Sequence, residues 1–173
     1  MAQINAAYAV EMAYALPGQV SDTSAYNIDG ACVVDDEAAA VIKPGYAVTV
    51  KSVDAEGHKV IQALGAKAYG VAIRSHAYTE NVNGEMVYTQ GGGINVMTHG
   101  RVWVVTKDEA AQTFDTPVKL TAAGEADAEA GTVATGWTYT GQFTVWGEGS
   151  TAVNLAEIQI TQNAPIPAAA PAE

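Results

Sequence analysis

Cysteine, basic side chains and long apolar runs are all scarce in this chain of 173 residues. The single cysteine, Cys32, excludes an internal disulfide framework and is too isolated for a cysteine-based zinc site. Eight Lys and Arg stand against 19 Asp and Glu, which gives a formal net charge of −11. Nucleic-acid binding depends on basic side chains that neutralise phosphates, and anionic membrane surfaces repel acidic proteins. The composition therefore predicts that neither nucleic acid nor a membrane is a partner.

The apolar runs and the helix-forming runs are both short. No stretch approaches the ~18 uninterrupted apolar residues of a membrane-spanning helix. The first residues, MAQINAAYAVEMAYALPG, carry no positive charge, and Glu11 interrupts their apolar run, so we expect no signal peptide. Charged residues make up 16% of the chain, below the typical value of about 25%. Alanine, glycine, threonine and valine take their place, and this composition favours strands and turns.

Short segments of alternating polarity fill the middle of the chain. YAVTVKSV, KVIQAL and LAEIQIT are examples, and glycine-rich or acidic turns separate them. Roughly eight to ten such strands at regular spacing are typical of a β-barrel or β-sandwich. We predict a mainly β protein with a jelly-roll-like barrel or sandwich core at 44–161. A partly irregular N-terminal arm, 1–43, precedes this core, and an extended Pro/Ala-rich tail, 162–173, follows it.

The stretch INVMTHGRVWVVT, residues 94–106, contains the strongest strand pattern. Its first half alternates, whereas apolar residues occupy both faces after Gly100. A strand covered on one face alternates, and a strand covered on both faces is continuously apolar. We therefore expect Gly100 to act as a bulge or bend that directs RVWVVT into a second layer. The cover of the second face would come from another layer, from an arm or from a neighbouring subunit, and assembly is the simplest of these explanations.

Sequence motifs of catalysis and cofactor binding are missing. There is no GxxxxGK[ST] phosphate loop and no GxSxG nucleophile turn. The acidic run at 35–37 lacks the spacing and the glycine of a calcium loop, so we interpret it as a solvated turn. The glycines at 91–93 have no nearby Lys or Arg to help hold an anion, so we interpret them as a flexible hinge. The histidines are far apart in sequence. We predict no enzymatic activity, no cofactor and no metal.

Six segments, taken in order and spacing, resemble the structural cement protein family, the capsid cement or decoration proteins of tailed phages. They are AYALPGQVSDTSAYNIDG (13–30), PGYAV (44–48), YGVAIRS (69–75), INVMTHGRVWVVT (94–106), PVKLTAAG (117–124) and VNLAEIQI (153–160). Three features depart from the family pattern. Tyr46 stands where arginine is usual, the excursion around Asn83-Gly84 is longer, and the Pro/Ala tail is uncommon.

The resemblance implies a non-enzymatic virion protein, made in the cytoplasm of a bacterial host. It would bind the outer surface of the phage head and stabilise the lattice of the major capsid protein. It would also assemble with itself, as a dimer or trimer at a capsid symmetry axis. We predict that apolar and aromatic residues form the capsid and subunit interfaces. These residues are Tyr8, Met12, Tyr14, Leu16, Tyr26, Ile28, Trp103 and Ile166.

Two other functions remain open at this point. The chain could be a different virion component, such as a tail tube or the base of a head fibre. It could also be a carbohydrate-binding or hydrolytic β-sandwich that uses Trp103, Trp137 and Trp146. That function requires a concave aromatic groove, with paired carboxylates if it hydrolyses its ligand. We expect these tryptophans to lie in the core or at a subunit contact instead.

Overall fold

The computed structural model describes residues 14–38, 40–75 and 86–162. Nine strands and one 3₁₀ turn make up its regular structure. The strands are β1 (Asn27–Asp29), β2 (Cys32–Val34), β3 (Ala47–Val53), β4 (Lys59–Ala63), β5 (Gly70–Ala72), β6 (Val96–Val105), β7 (Pro117–Leu120), β8 (Val133–Trp146) and β9 (Val153–Ile160), and the 3₁₀ turn is Gly149–Thr151. No helix in this part of the chain is long and apolar enough to span a membrane.

The strands form one mixed sheet in the order β2-β4-β3-β5-β6-β9-β8-β7, and β1 pairs with β6 beside this path. Only β2 and β4 are parallel among the described strands. The mainly β prediction is confirmed. A jelly-roll consists of two separate sheets, so the single hydrogen-bonded sheet does not confirm the jelly-roll-like part of the prediction.

Strand β6 joins the two halves of this sheet. Its first residues pair with β1 and β5, and from Gly100 onward it pairs with β9. Gly100 has a φ of 114°, a region that favours glycine. A Cβ placed there would lie 2.5 Å from Met97 Cε and 2.8 Å from Tyr26 Cβ. Gly100 thus changes the pairing partner as expected, but β6 continues through it, so the two halves remain one sheet.

Two large apolar clusters lie against the sheet. The main core is centred on β6, β8 and β9 and includes Val102, Val104, Trp137, Tyr139, Ile158 and Ile160. The second core lies around β2, β3 and β4 and includes Cys32, Val34, Val48, Ile61, Ile94 and Val96. Burial raises the pKa of the Cys32 thiol to about 12, because the charged thiolate would be poorly solvated there. The thiol therefore stays protonated at neutral pH and serves as a packing residue.

A third, smaller cluster explains why β6 is apolar on both faces after Gly100. Trp103 and Val105 point away from the main core and pack with Ala15 and Leu155. Trp103 is only 3% exposed. The chain's own N-terminal segment supplies part of this cover through Ala15, so the burial of Trp103 does not require the assembly that the sequence favoured. We refer to these four residues as the Trp103 cluster.

Candidate assembly surface

The first described residues run antiparallel beside the second half of β6, where an isolated bridge joins Val20 to Val102. Gly18 N donates to Trp103 O at 2.9 Å, and Trp103 N donates to Gln19 O at 3.0 Å. Ser21 N continues the pairing with a hydrogen bond of 3.0 Å to Arg101 O. These bonds use the side of β6 that β9 leaves free, so the backbone of the segment is fixed to the centre of the sheet.

A buried carboxylate also holds this segment. Glu157 on β9 is 7% exposed, and its two carboxylate oxygens accept hydrogen bonds from the hydroxyls of Ser21 and Thr140. Next to it, Arg101 Nη1 lies 3.2 Å from Asp22 Oδ2. Hydrogen bonds from Ser24, together with Arg101, hold the pKa of Asp22 below its usual value. Polar side-chain contacts therefore fix the segment to both β6 and β9.

Tyr14 marks the point where the described chain begins, and it covers the Trp103 cluster from outside. Its ring meets the Trp103 ring edge-to-face, with centroids 5.4 Å apart and planes at 72°. Its hydroxyl donates to Gln142 Oε1 at 3.1 Å. The Tyr14 side chain is nevertheless 65% exposed. A partner that approaches this corner would therefore touch Tyr14, whereas Trp103 supports it from beneath.

The end of β8 next to Tyr14 is an exposed strand edge. We call residues 142–146 the open edge, and residues 143–146 of it pair with β9 on one side. Strand β7 pairs with β8 only as far as Thr138, and the backbone bonds of Tyr139 complete that contact. No backbone hydrogen bond from elsewhere in the described chain reaches the other side of the open edge. Val145 in its middle is 53% exposed.

A second exposed aromatic residue lies beside the start of this edge. Phe114 is 71% exposed. Gly141 adopts a φ of 86°, and a Cβ placed on it would lie 3.9 Å from Phe114 N. Gly141 belongs to a bulge in β8, where the register against β9 shifts between Tyr139 and Phe143. The bulge thus brings Phe114 and the open edge to one end of the sheet.

Comparison with known proteins identifies the family. A family model described as "Structural cement protein (E217 gp24/Pam3 gp6)" matches residues 4–161. The chain belongs to this family of phage structural cement proteins. The match confirms the resemblance noted in the sequence and supports a structural role in a phage capsid.

A solved structure shares the fold of this cement protein. The chain is similar to a chain in the structure of the capsid of Myoviridae phage XM1, with a TM-score of 0.57 and 20% sequence identity. The similarity covers 90% of this chain and 97% of the other. No curated protein sequence matches the chain.

The predicted interface residues of this cement protein fall in different environments. Tyr8, Met12 and Ile166 lie outside the described residues. Tyr14 and Tyr26 are exposed, whereas Leu16 is half-buried and donates its N–H to Gln19 Oε1. Ile28 packs against the main core, and Trp103 is buried. Tyr14 and Trp103 are in contact, and the interface role of the whole set stays a prediction.

Phe114 and the open edge are surface features of the cement protein that were not among the residues predicted from its sequence. Phe114 lies in the loop between β6 and β7, and no periodicity distinguishes it. The open edge did carry a signal: GQFTVW contains neither a charge nor a proline. Natural sheets commonly protect their edges with such residues. The sequence could not show that this half of β8 lacks a second neighbour.

The tryptophans of the cement protein do not form an exposed platform. Trp103 and Trp137 are 3% and 5% exposed, and Trp146 is half-buried against the Trp103 cluster. The buried carboxylate of Asp108 accepts hydrogen bonds from Tyr139 Oη at 2.7 Å and Thr106 Oγ1 at 2.8 Å. Such a carboxylate stabilises the packing around it, so neither feature favours the carbohydrate-binding alternative.

One group of possible metal ligands lies on the turn between β3 and β4. Asp54, Glu56 and His58 place potential ligand atoms within 4.8 Å of one another. Sequence reasoning found no partner for His58, although Asp54 precedes it by four residues. Asp54 Oδ1 accepts the backbone N–H of His58 at 2.7 Å, and Asp54 Oδ2 lies 3.1 Å from His58 Nδ1. These bonds close the turn, and the absence of a metal stays a prediction.

Proposed function

We propose that this protein binds the outer surface of a tailed-phage head and stabilises the lattice formed by the major capsid protein. The observation that carries the proposal is the family match, which extends over residues 4–161 and therefore includes nearly the whole chain. The role is structural, so the protein needs no catalytic residues, and it acts as part of the virion.

The charge of the chain supports an outer location. Proteins that contact packaged DNA use Lys and Arg to neutralise phosphates. This chain carries −11 instead, and DNA would repel it. An acidic protein on the outside of the shell avoids that repulsion and presents a charged, solvated face to water.

The exposed aromatic residues support binding to other proteins in the shell. Tyr14, Tyr26 and Phe114 are 65%, 51% and 71% exposed. Aromatic residues often supply much of the binding energy in protein interfaces. We propose that the corner at Tyr14 contacts capsid subunits, and the interface role predicted for Tyr8, Met12 and Ile166 belongs to the same proposal. Contacts between copies of the protein, as a dimer or trimer at a symmetry axis, belong to the same proposal.

The test adds the purified protein to heads of the phage that encodes it, prepared without this protein. Binding is measured by co-sedimentation, and the site is located by electron cryomicroscopy. We expect density on the outer head surface and a higher temperature of head disruption. Density on the tail and none on the head would contradict the proposal and favour a tail-tube role, whereas density at a fibre base would favour the head-fibre alternative.

A pair of matched variants tests the role of the Tyr14 corner. Tyr14 and Val41 are 65% and 64% exposed. We expect Tyr14→Ser to weaken head binding by about tenfold or more, the scale of an interface hot spot, while Val41→Ser binds like the unmodified protein. Removal of residues 1–30 is a poorer test, because it deletes β1 and Ala15 from the fold. Equal binding by both variants would show that the corner is not an interface.

A further inference from the structure

We infer that the open edge, residues 142–146, is a strand-addition site for an extended segment of another protein. That segment would be uncharged in its middle and basic at its ends. The inference deepens the proposed function, because it names how one capsid partner is recognised and depends on there being such a partner.

The backbone of the open edge presents unused donors and acceptors. In a strand, alternate N–H and C=O groups point to opposite sides. Strand β9 pairs with one side of residues 143–146, and no described backbone bonds to the other side of the open edge. Such an edge is a template for pairing with another strand. A partner strand would gain main-chain hydrogen bonds there, as in other cases of β-strand addition.

The side chains of the open edge do not oppose such pairing. Gln142, Phe143, Thr144, Val145 and Trp146 include no charge and no proline. β-Branched and aromatic residues also favour cross-strand contacts with a neighbouring strand. Natural sheets usually block an exposed edge with lysine, proline or a covering segment. Residues 142–146 contain no lysine and no proline, and no segment among the described residues covers them, which indicates that this edge is kept available.

Charge at the two ends of the edge determines the chemistry of the partner. The backbone N–H of Asp115 bonds to Tyr139 O at 2.9 Å, which places this exposed residue just before the open edge. Glu148, also exposed, follows just after it. Neither carboxylate forms an ion pair with a described residue. Basic residues at both ends of an incoming strand would therefore complement the edge.

The same charges disfavour a second copy as the occupant. Antiparallel pairing of two open edges centred on Thr144 would place Glu148 of one copy opposite Thr140 of the other. Asp115 of that second copy lies next to this position, because its N–H bonds to Tyr139. Carboxylates would therefore approach carboxylates at both ends, in addition to the repulsion between two chains of −11 each. A basic-ended strand from a different protein avoids both costs.

The first part of the test uses the full chain and a synthetic peptide, without any capsid. The peptide alternates threonine and valine in its middle and carries two lysines at each end. Hydrogen exchange of the amides at 142–146 should slow on every second residue by about tenfold or more. The same peptide with glutamates at its ends should protect less, and one with a central proline should not protect. Absence of protection by the lysine-ended peptide would overturn the inference.

The second part uses depleted heads and two matched variants. Val145 in the open edge and Val53 at the end of β3 are 53% and 61% exposed. We expect Val145→Lys to reduce head binding at least about tenfold, because a lysine on a strand edge opposes strand addition. Val53→Lys should bind normally. Normal head binding by Val145→Lys would overturn the inference while the proposed function stands.

Other occupants give different results. A concentration-dependent dimer that Val145→Lys dissociates would show that a second copy occupies the edge, and would overturn the inference. Protection of 142–146 in the dilute chain alone would show that the chain's own residues cover it, with the same consequence. If the unmodified protein binds no heads, the proposed function fails, and the capsid partner named here fails with it. Protection by the peptide would then show only that the open edge can pair with an added strand.

Discussion

The β2 edge and the open edge of β8 are two strand edges in the same sheet, and they differ in whether another part of the chain covers them. The β2 edge is covered by the backbone of residues 91–93. Val34 N donates to Gly92 O at 2.9 Å, and Gly91 N donates to Val34 O at 3.0 Å. An isolated bridge joins Val33 to Gly93. The open edge has no such cover from the described chain, so the fold closes one margin and leaves the other available.

The edge of β7 is a third sheet edge, and another segment of the chain covers it as well. Strand β7 ends the sheet on the β8 side, and Ala126 bridges it to the end of β6. Ala126 N donates to Val105 O at 2.9 Å, and Lys107 N donates to Ala126 O at 2.8 Å. The exposed half of β8 therefore differs from both covered margins, and an uncovered strand edge is a place where a partner is expected.

Substitutions that create a cavity in either core should have the largest effect on the free energy of unfolding. Ile61 in the second core and Ile158 in the main core are both fully buried. Replacing either by alanine should lower the free energy of unfolding by about 2–5 kcal/mol, through lost burial and the cavity left behind. Denaturant titration measures the loss. If hydrogen exchange then rises across the whole sheet in both variants, the two edges belong to one cooperative unit; local increases would separate them.

A substitution at Gly100, where β6 changes its pairing partner, should lower the free energy of unfolding slightly less. We expect Gly100→Ala to destabilise the protein by roughly 2–4 kcal/mol, because it adds a positive-φ cost to overpacking. The added Cβ would meet Met97 and Tyr26. Gly93→Ala is the control in the β2 cover, since a Cβ there has nothing within 4 Å. Thermal unfolding of both variants compares them, and equal melting temperatures would contradict the role of Gly100.

An ion pair on the covered side of the sheet should make stability depend on acid pH. Lys59 Nζ lies 2.8 Å from Asp29 Oδ2, and Tyr69 Oη donates to the same oxygen at 2.6 Å. Burial alone would raise the pKa of Asp29, but the hydrogen bonds from Lys59, Tyr69 and the Ala31 N–H outweigh it and lower this pKa. A lowered pKa stabilises the fold above the unfolded value of about 4, and this contribution disappears as pH falls through the folded value.

We therefore expect Asp29→Asn to lose about 1 kcal/mol at pH 7, a modest figure because solvent screens the half-exposed Lys59. The difference from the unmodified protein should shrink as the pH falls below about 4. Urea titrations across that range measure it. A difference that stays constant into acid would show that Asp29 acts through packing instead of charge.

The lysine variants used for binding should have the smallest effect on stability. Val145→Lys and Val53→Lys alter exposed positions, so each should change the free energy of unfolding by no more than about 0.5 kcal/mol. Urea titration again provides the measurement. With both variants equally stable, a loss of head binding confined to Val145→Lys could not be attributed to unfolding. A large loss of stability in that variant alone would instead indicate an internal role for the open edge.

Several features of the fold and the site were predictable from short-range pattern. Alternation identified the strands from β3 onward, whereas β1 and β2 lie in the segment predicted as a partly irregular arm. The change of pattern at Gly100 correctly located a change of partner in β6. The glycines at 91–93 were interpreted as a flexible hinge, whereas their backbone covers the β2 edge. Local sequence could not reveal that cover, because a hydrogen bond between distant backbones leaves no mark on the side chains that take part.

The mainly β fold class, the acidic charge and the family could all be predicted from the sequence, since alternation, charge and the order of motifs depend only on residue types. It did not determine what covers Trp103, which side of β8 stays unpaired, or where Phe114 lies. Those properties depend on which strands become neighbours. Strand neighbours are chosen by long-range pairing and packing, and a strand with an open side has the same residues as one that is covered.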